Sequence, residues 1–128
     1  MIQNRTKIII KDNSGVLVGR CINAGKQGSS LQLAKIAILK SKTTFTTKRK
    51  SSKRSALQNI LLVQTKKTVH RNDGATLRFN GNKGVCVSKN GAQLQLGFKR
   101  INTAVKVELK KSHHGQSSNL MKLAKAIL

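Results

Sequence analysis

Short apolar runs separated by Gly, Asn and Ser clusters set the rhythm of the chain. Lys7 to Ile10 is a β-branched run, and Asp12, Asn13, Ser14 and Gly15 follow it as a turn whose side chains can hydrogen-bond their own backbone. Val16, Val18, Arg20 and Ile22 alternate with Leu17, Gly19 and Cys21, which predicts a second strand, and Asn23 to Ser30 reads as a Gly-bearing loop. Leu33 to Leu39 predicts a third strand, with Ile36 and Ile38 on one face. Ile60 to Val63 is apolar throughout, the mark of a buried strand that closes a small sheet or barrel.

Beyond it, Asn72, Asp73 and Gly74 predict a tight turn, Leu77 with Phe79 and Val85 with Val87 two more alternating strands, and Asn90–Gly91 a type I′ hairpin leading into Leu94 and Leu96. The ending changes character. Leu120, Leu123, Ala124, Ile127 and Leu128 fall at helical spacing behind Ser118 or Asn119 as a cap, and a shorter helix is expected over Val105 to Lys111. The fold class expected is mainly β: a small five-stranded β-barrel with a short C-terminal helical region and a basic loop or ribbon. The length suits one domain, residues 1–128, with the barrel over about 1–100, a basic arm over about 40–55 and the helical end over about 103–128.

Charge turns this fold into a functional statement. The chain carries 26 Lys and Arg against three acids, a net charge of +23 in 128 residues. A compact body so cationic repels itself unless a dense polyanion neutralises it, and nucleic acid rewards each phosphate contact with counterion release. There is no Trp or Tyr, and only Phe45, Phe79 and Phe98 supply rings. That scarcity argues against a membrane-surface helix with aromatic anchors and against single-strand binding dominated by base stacking. No apolar run approaches the ~20 residues that span a bilayer, so no membrane partner is expected. Met1 to Ile10 runs straight into a strand, so neither signal peptide nor Arg-rich presequence is expected there.

Catalytic and metal chemistry find little purchase. Cys21 and Cys86 are far apart, lack CxxC spacing and sit in apolar alternations, which predicts buried free thiols. His113 and His114 are adjacent in a basic loop and His70 stands alone, an arrangement unsuited to a metal. An RNA-cleaving site on the His pair has no spaced partner, and Gly25 to Ser29 misses phosphate-loop spacing. No enzyme, cofactor or metal is expected. The cations concentrate in two places: Lys66, Lys67, His70 and Arg71 after the apolar run, and Lys48, Arg49, Lys50, Lys53 and Arg54 in a stretch without apolar pattern.

Several of these blocks resemble the universal large-subunit ribosomal protein L-fourteen family, bacterial and organellar type. Met1, Ile2 and Gln3, the Asp12–Gly15 turn, and Ile60 to Lys67 are similar to family blocks. Arg71, Asp73, Gly74, Arg78, Phe79, Asn82, Val85 and Val87 stand at the family's spacing. Arg100 with Ile101, Glu108 with Leu109, and Leu123, Ala124 and Leu128 resemble its later blocks, and all three acids fall in matched positions. Departures are Asn59 at a small-residue position, Cys86 within an aliphatic triplet, the missing Pro residues, and a divergent Thr43 to Ala56.

The resemblance implies a structural constituent of the large ribosomal subunit that binds rRNA through Lys and Arg, with Lys66, Lys67, Arg71 and Arg78 as the first set of contacts. The Lys48, Arg49, Lys50, Lys53 and Arg54 group is the second set. It also implies a bridge to small-subunit rRNA, large-subunit proteins three and nineteen as neighbours, and a ribosome-silencing factor received on the C-terminal side, with Arg100 on that surface or facing the other subunit. Divergence and the loss of Pro point to a mitochondrial ribosome, a bacterial cytoplasm or plastid being the alternative. A histone-like DNA-binding protein would account for the charge equally well but calls for dimerising helices or a basic β arm, and here strands dominate.

Overall fold

The computed structural model describes residues 2–24, 33–41, 57–90, 93–96, 100–111 and 117–128. Its strands are β1 (Lys7–Ile10), β2 (Val16–Ala24), β3 (Leu33–Ser41), β4 (Leu57–Gln64), β5 (Val69–His70), β6 (Thr76–Leu77), β7 (Lys83–Asn90), β8 (Gln93–Leu96) and β9 (Ile101–Val105). Two helices, α1 (Glu108–Lys111) and α2 (Ser117–Leu123), precede a last strand, β10 (Ala124–Ile127).

β1, β2, β3, β4 and β7 pair in that order, each antiparallel to the next, and β1 returns to β7 to close a five-stranded barrel. An odd ring of alternating strands must close with two strands pointing the same way, and β1 with β7 is parallel. This seam is short, registering Ile9 with Lys83 and Ile10 with Gly84. Backbone bonds from Ile9 N to the Asn82 carbonyl and from Lys11 N to the Gly84 carbonyl, both 3.1 Å, form its rungs. The next donor along β7, Cys86 N, meets a side chain: it donates to Asp12 Oδ2 at 2.6 Å. The other oxygen, Oδ1, accepts from Ser14 N at 2.8 Å and from the Ser14 hydroxyl, which shapes the turn into β2 with Gly15 at φ 89°. One carboxylate therefore makes both the first hairpin turn and the last rung of closure.

The barrel fills by alternation. Ile8, Cys21, Ile36, Ile60, Val85 and Val87 are buried from five different strands. Gly19 leaves room for Ile36: a Cβ there would lie 2.3 Å from Ile36 Cδ1. β4 is buried continuously from Ile60 to Gln64, as its unbroken apolar run predicted. The C-terminal segment explains the double burial, because Ile101, Val105, Leu109 and Leu120 belong to the same core cluster. Gln64 serves this junction, donating to Thr103 Oγ1 at 2.9 Å and to the Ala104 carbonyl at 2.8 Å. Both cysteines are free and buried, and burial pushes the Cys86 thiol up to about 12.

Some expected elements differ. The helix predicted through Leu128 stops at Leu123, and Ala124–Ile127 instead runs parallel to β9. Apolar residues at 120, 123, 124, 127 and 128 fit helical spacing. Pairing overrode it, through Val107 N to the Leu128 carbonyl and Leu128 N to the Val105 carbonyl, both 2.9 Å. Ser118 and Asn119 lie within α2, which begins at Ser117. Val105 ends a strand, and the short helix is confined to Glu108–Lys111. The period-2 burial of Ile101, Thr103 and Val105, all β-branched, was the signal for β9.

The turn at 72–74 is a three-residue loop in which Gly74 N donates to the Arg71 carbonyl and Arg71 N to the Ala75 carbonyl. Gly74 alone of these residues has positive φ, 84°, and Asp73 Oδ1 accepts from Ala75 N at 2.9 Å. Asn90 pairs with Gln93 inside the ladder and so belongs to β7, while Gly91 of the expected Asn90–Gly91 turn lies outside the described residues. Phe79 lies after β6 and in no strand. Asn23 and Ala24 extend β2, Lys40 and Ser41 extend β3, and the rest of both predicted loops, 25–30 and 42–55, lies outside the described residues.

Two substitutions test the closure. Asp12→Asn keeps the size but leaves one carbonyl oxygen for acceptor duties that two oxygens share, and the expected loss is ~1–3 kcal/mol of folding stability in denaturant titration. Gly19→Val forces Ile36 out of place, with a similar expected loss of ~1–3 kcal/mol.

Candidate nucleic-acid interface

Between β4 and β7 the chain leaves the barrel, folds the β5–β6 hairpin and returns, and this excursion carries the whole of the first predicted cation set. Lys66 and Lys67 follow β4 directly and are exposed. Lys66 N donates to Asn82 Oδ1 at 3.0 Å, and the Asn82 carbonyl accepts from Ile9 N, so Asn82 fixes the start of the excursion to its end and to β1. Lys66 and Arg78 come together on a groove of about 320 Å³ whose other lining residues are Phe79 and Asn80. Arg78 and Asn80 are exposed and the Phe79 ring is half-buried.

Arg71 occupies a different position. Its Nε donates to Glu108 Oε1 at 2.6 Å, the one ion pair among the described residues, and so joins the β5–β6 hairpin to α1. The bond to Arg71 holds the Glu108 carboxyl below its ordinary value, and that to Glu108 raises the Arg71 guanidinium further. Arg71 Nη2 and Glu108 Oε2 are buried without a hydrogen-bond partner. Together with His70, Asn72, Asp73 and Val107, the pair lines a second cleft of about 430 Å³. Nearby, Lys106 Nζ donates to Thr65 Oγ1 at 3.0 Å, and burial lowers its pKa.

On the barrel wall, Lys7 stands opposite Arg20 in the β1–β2 ladder and both side chains are exposed. Like charges directly across a ladder repel, so this pair asks for an anion from outside. Sequence reasoning missed it, although counting five residues outward from each end of the Asp12–Gly15 turn pairs these two positions. It also missed Asn80 and Lys106 and the bracing role of Asn82; for Asn80 and Asn82 the signal was the polar break between the runs ending at Leu77 and beginning at Lys83. Arg100 is exposed immediately before β9. Lys48, Arg49, Lys50, Lys53, Arg54, His113 and His114 lie outside the described residues. Among the described residues no three His, Cys, Asp or Glu side chains form a group that could hold a metal ion.

Each acid has a structural bond: Asp12 at the seam, the exposed Asp73 in its turn, Glu108 on Arg71. What faces outward is a cationic surface able to bind phosphates by charge. Residues 1–128 match the family model described as ribosomal protein L14p/L23e. A similar relative is the large ribosomal subunit protein uL14c of Helicosporidium sp. subsp. Simulium jonesii, 36% identical over 90 residues that cover 70% of this chain and 73% of that protein. Neither likeness supports a histone-like DNA-binding protein.

Glu108 gives the clamp a pH signature. Its pKa in the folded chain lies below the ordinary 4.5, so its stabilisation is complete above that value and is lost as pH falls through the lower folded one. Glu108→Gln is expected to cost about 1 kcal/mol at neutral pH, and the gap between variant and parent to close as unfolding is measured at progressively more acid pH.

Proposed function

Since the chain belongs to the ribosomal protein L14p/L23e family and is a structural constituent of the large ribosomal subunit, we propose that it binds rRNA through the cationic end of its barrel. The family is one of structural ribosomal proteins, not of enzymes. Lys66, Lys67 and Arg78 neutralise phosphates there, and Arg71 acts beside them while its bond to Glu108 holds the hairpin that presents them. A-form RNA closes its deep groove to side chains, so backbone charge and shape dominate the contact. The observation that carries this reading is that Lys66, Lys67 and Arg78 are exposed and that no carboxylate forms an ion pair with them among the described residues.

The second set, Lys48, Arg49, Lys50, Lys53 and Arg54, extends the same neutralisation. Arg100 is assigned to the surface that meets the small subunit's rRNA or a silencing factor. Large-subunit proteins three and nineteen are the proposed protein neighbours, and exposed apolar Val107, Ile127 and Leu128 support a protein contact at the C-terminal side. The Val107 N to Leu128 carbonyl bond brings these residues into one patch. The ribosome is organellar or bacterial; the Pro-free composition supports the mitochondrial reading.

Replacing Lys66, Lys67 and Arg78 together with Ala is expected to leave the unfolding midpoint near that of the parent and to flatten the salt dependence of rRNA binding by roughly 2–3 logarithmic units per decade of salt. Co-sedimentation with large subunits should fall accordingly. Incorporation of the triple variant at the parental level would show that another surface binds.

A further inference from the structure

Phe79 is placed oddly for a ring in a chain with so few. It is half-buried, yet among the described residues it belongs neither to the core cluster nor to the partly buried side chains packed against that cluster. It lines one groove together with two exposed cations, Lys66 and Arg78, and with Asn80. The groove is open to solvent, with a volume of about 320 Å³.

Resting on the rRNA-binding reading above, we propose that this groove receives one unpaired nucleotide of rRNA, its base laid against Phe79 and its flanking phosphates held by Lys66 and Arg78. The geometry selects the substrate class. A paired A-form helix presents no base face to a ring at its surface, whereas a bulged or looped-out nucleotide does. Asn80 offers a donor and an acceptor on one amide, the complement that a base edge requires. The frame is braced: Lys66 N is tied to Asn82, and Asn82 to Ile9 of the barrel, so the cation and the segment after Phe79 keep their spacing. One ring cannot make a stacking track, but it suffices for a single base, and stacking of one base is commonly worth a measurable share of affinity.

The experiment uses the full chain and two RNA hairpins of identical stem, one fully paired and one carrying a single bulged adenosine, at matched salt. The bulged hairpin is expected to bind about tenfold more tightly. Phe79→Leu, which keeps an apolar side chain, should abolish that preference while leaving affinity for the paired hairpin unchanged, and Phe79→Trp should retain it; unfolding midpoints identify any variant that fails to fold. Equal affinity of the parent protein for both hairpins overturns the proposal, as expected if an apolar side chain of a protein partner covers Phe79 instead, and so does a preference that survives Phe79→Leu. Failure of the parent to bind either hairpin removes the phosphate reading itself, an outcome distinct from binding both equally.

Discussion

Closing the ring is the constraint on which the remaining architecture depends. Five strands joined in alternating sense leave β1 and β7 parallel, with two registered pairs between them. Parallel pairing is slightly weaker per residue than antiparallel pairing, and so short a seam needs reinforcement. Asp12 supplies it by accepting from Cys86 N where a backbone carbonyl would otherwise stand. Just beside it, Asn102 N donates to the Lys11 carbonyl at 2.8 Å and Ile101 bridges to Asp12, so the C-terminal segment docks onto the closed seam. Core, seam and cover form one connected unit.

That reinforcement also organises the electrostatics. Each of the three acids in the sequence accepts a hydrogen bond within the fold. Asp12 closes the barrel, Asp73 shapes the hairpin loop and Glu108 restrains Arg71. Positive charge is left unopposed on the wall at Lys7 and Arg20 and at the end at Lys66, Lys67 and Arg78. The fold is therefore arranged so that its counter-charge arrives from a partner.

Barrel strands were legible because burial alternates at Ile8 and Ile10, Gly19 and Cys21, and Ala34 and Ile36, and runs unbroken over Ile60–Gln64. The C-terminal end was not, since Leu120, Leu123, Ala124 and Ile127 satisfy helical spacing and only backbone pairing with Ile101–Val105, many residues distant, decides for a strand. The site was half legible. Lys66 and Arg78 announce themselves by charge, but that they share a groove depends on Asn82 joining the two ends of the excursion. Arg71 read as a phosphate ligand from its neighbours, whereas its bond to Glu108 spans 37 positions of sequence. Charge composition reports the partner; pairing at long range decides which cations are free to meet it.

Cys86 lies at the closing seam, its backbone tied to Asp12 and its sulfur 3.4 Å from the Ser14 hydroxyl oxygen. Oxidants attack thiolates, and a thiol pushed up to about 12 is almost wholly protonated at any physiological pH. Cys21, also buried and also raised, is shielded in the same way. Neither cysteine therefore offers an oxidant a ready thiolate with which to pry the barrel apart.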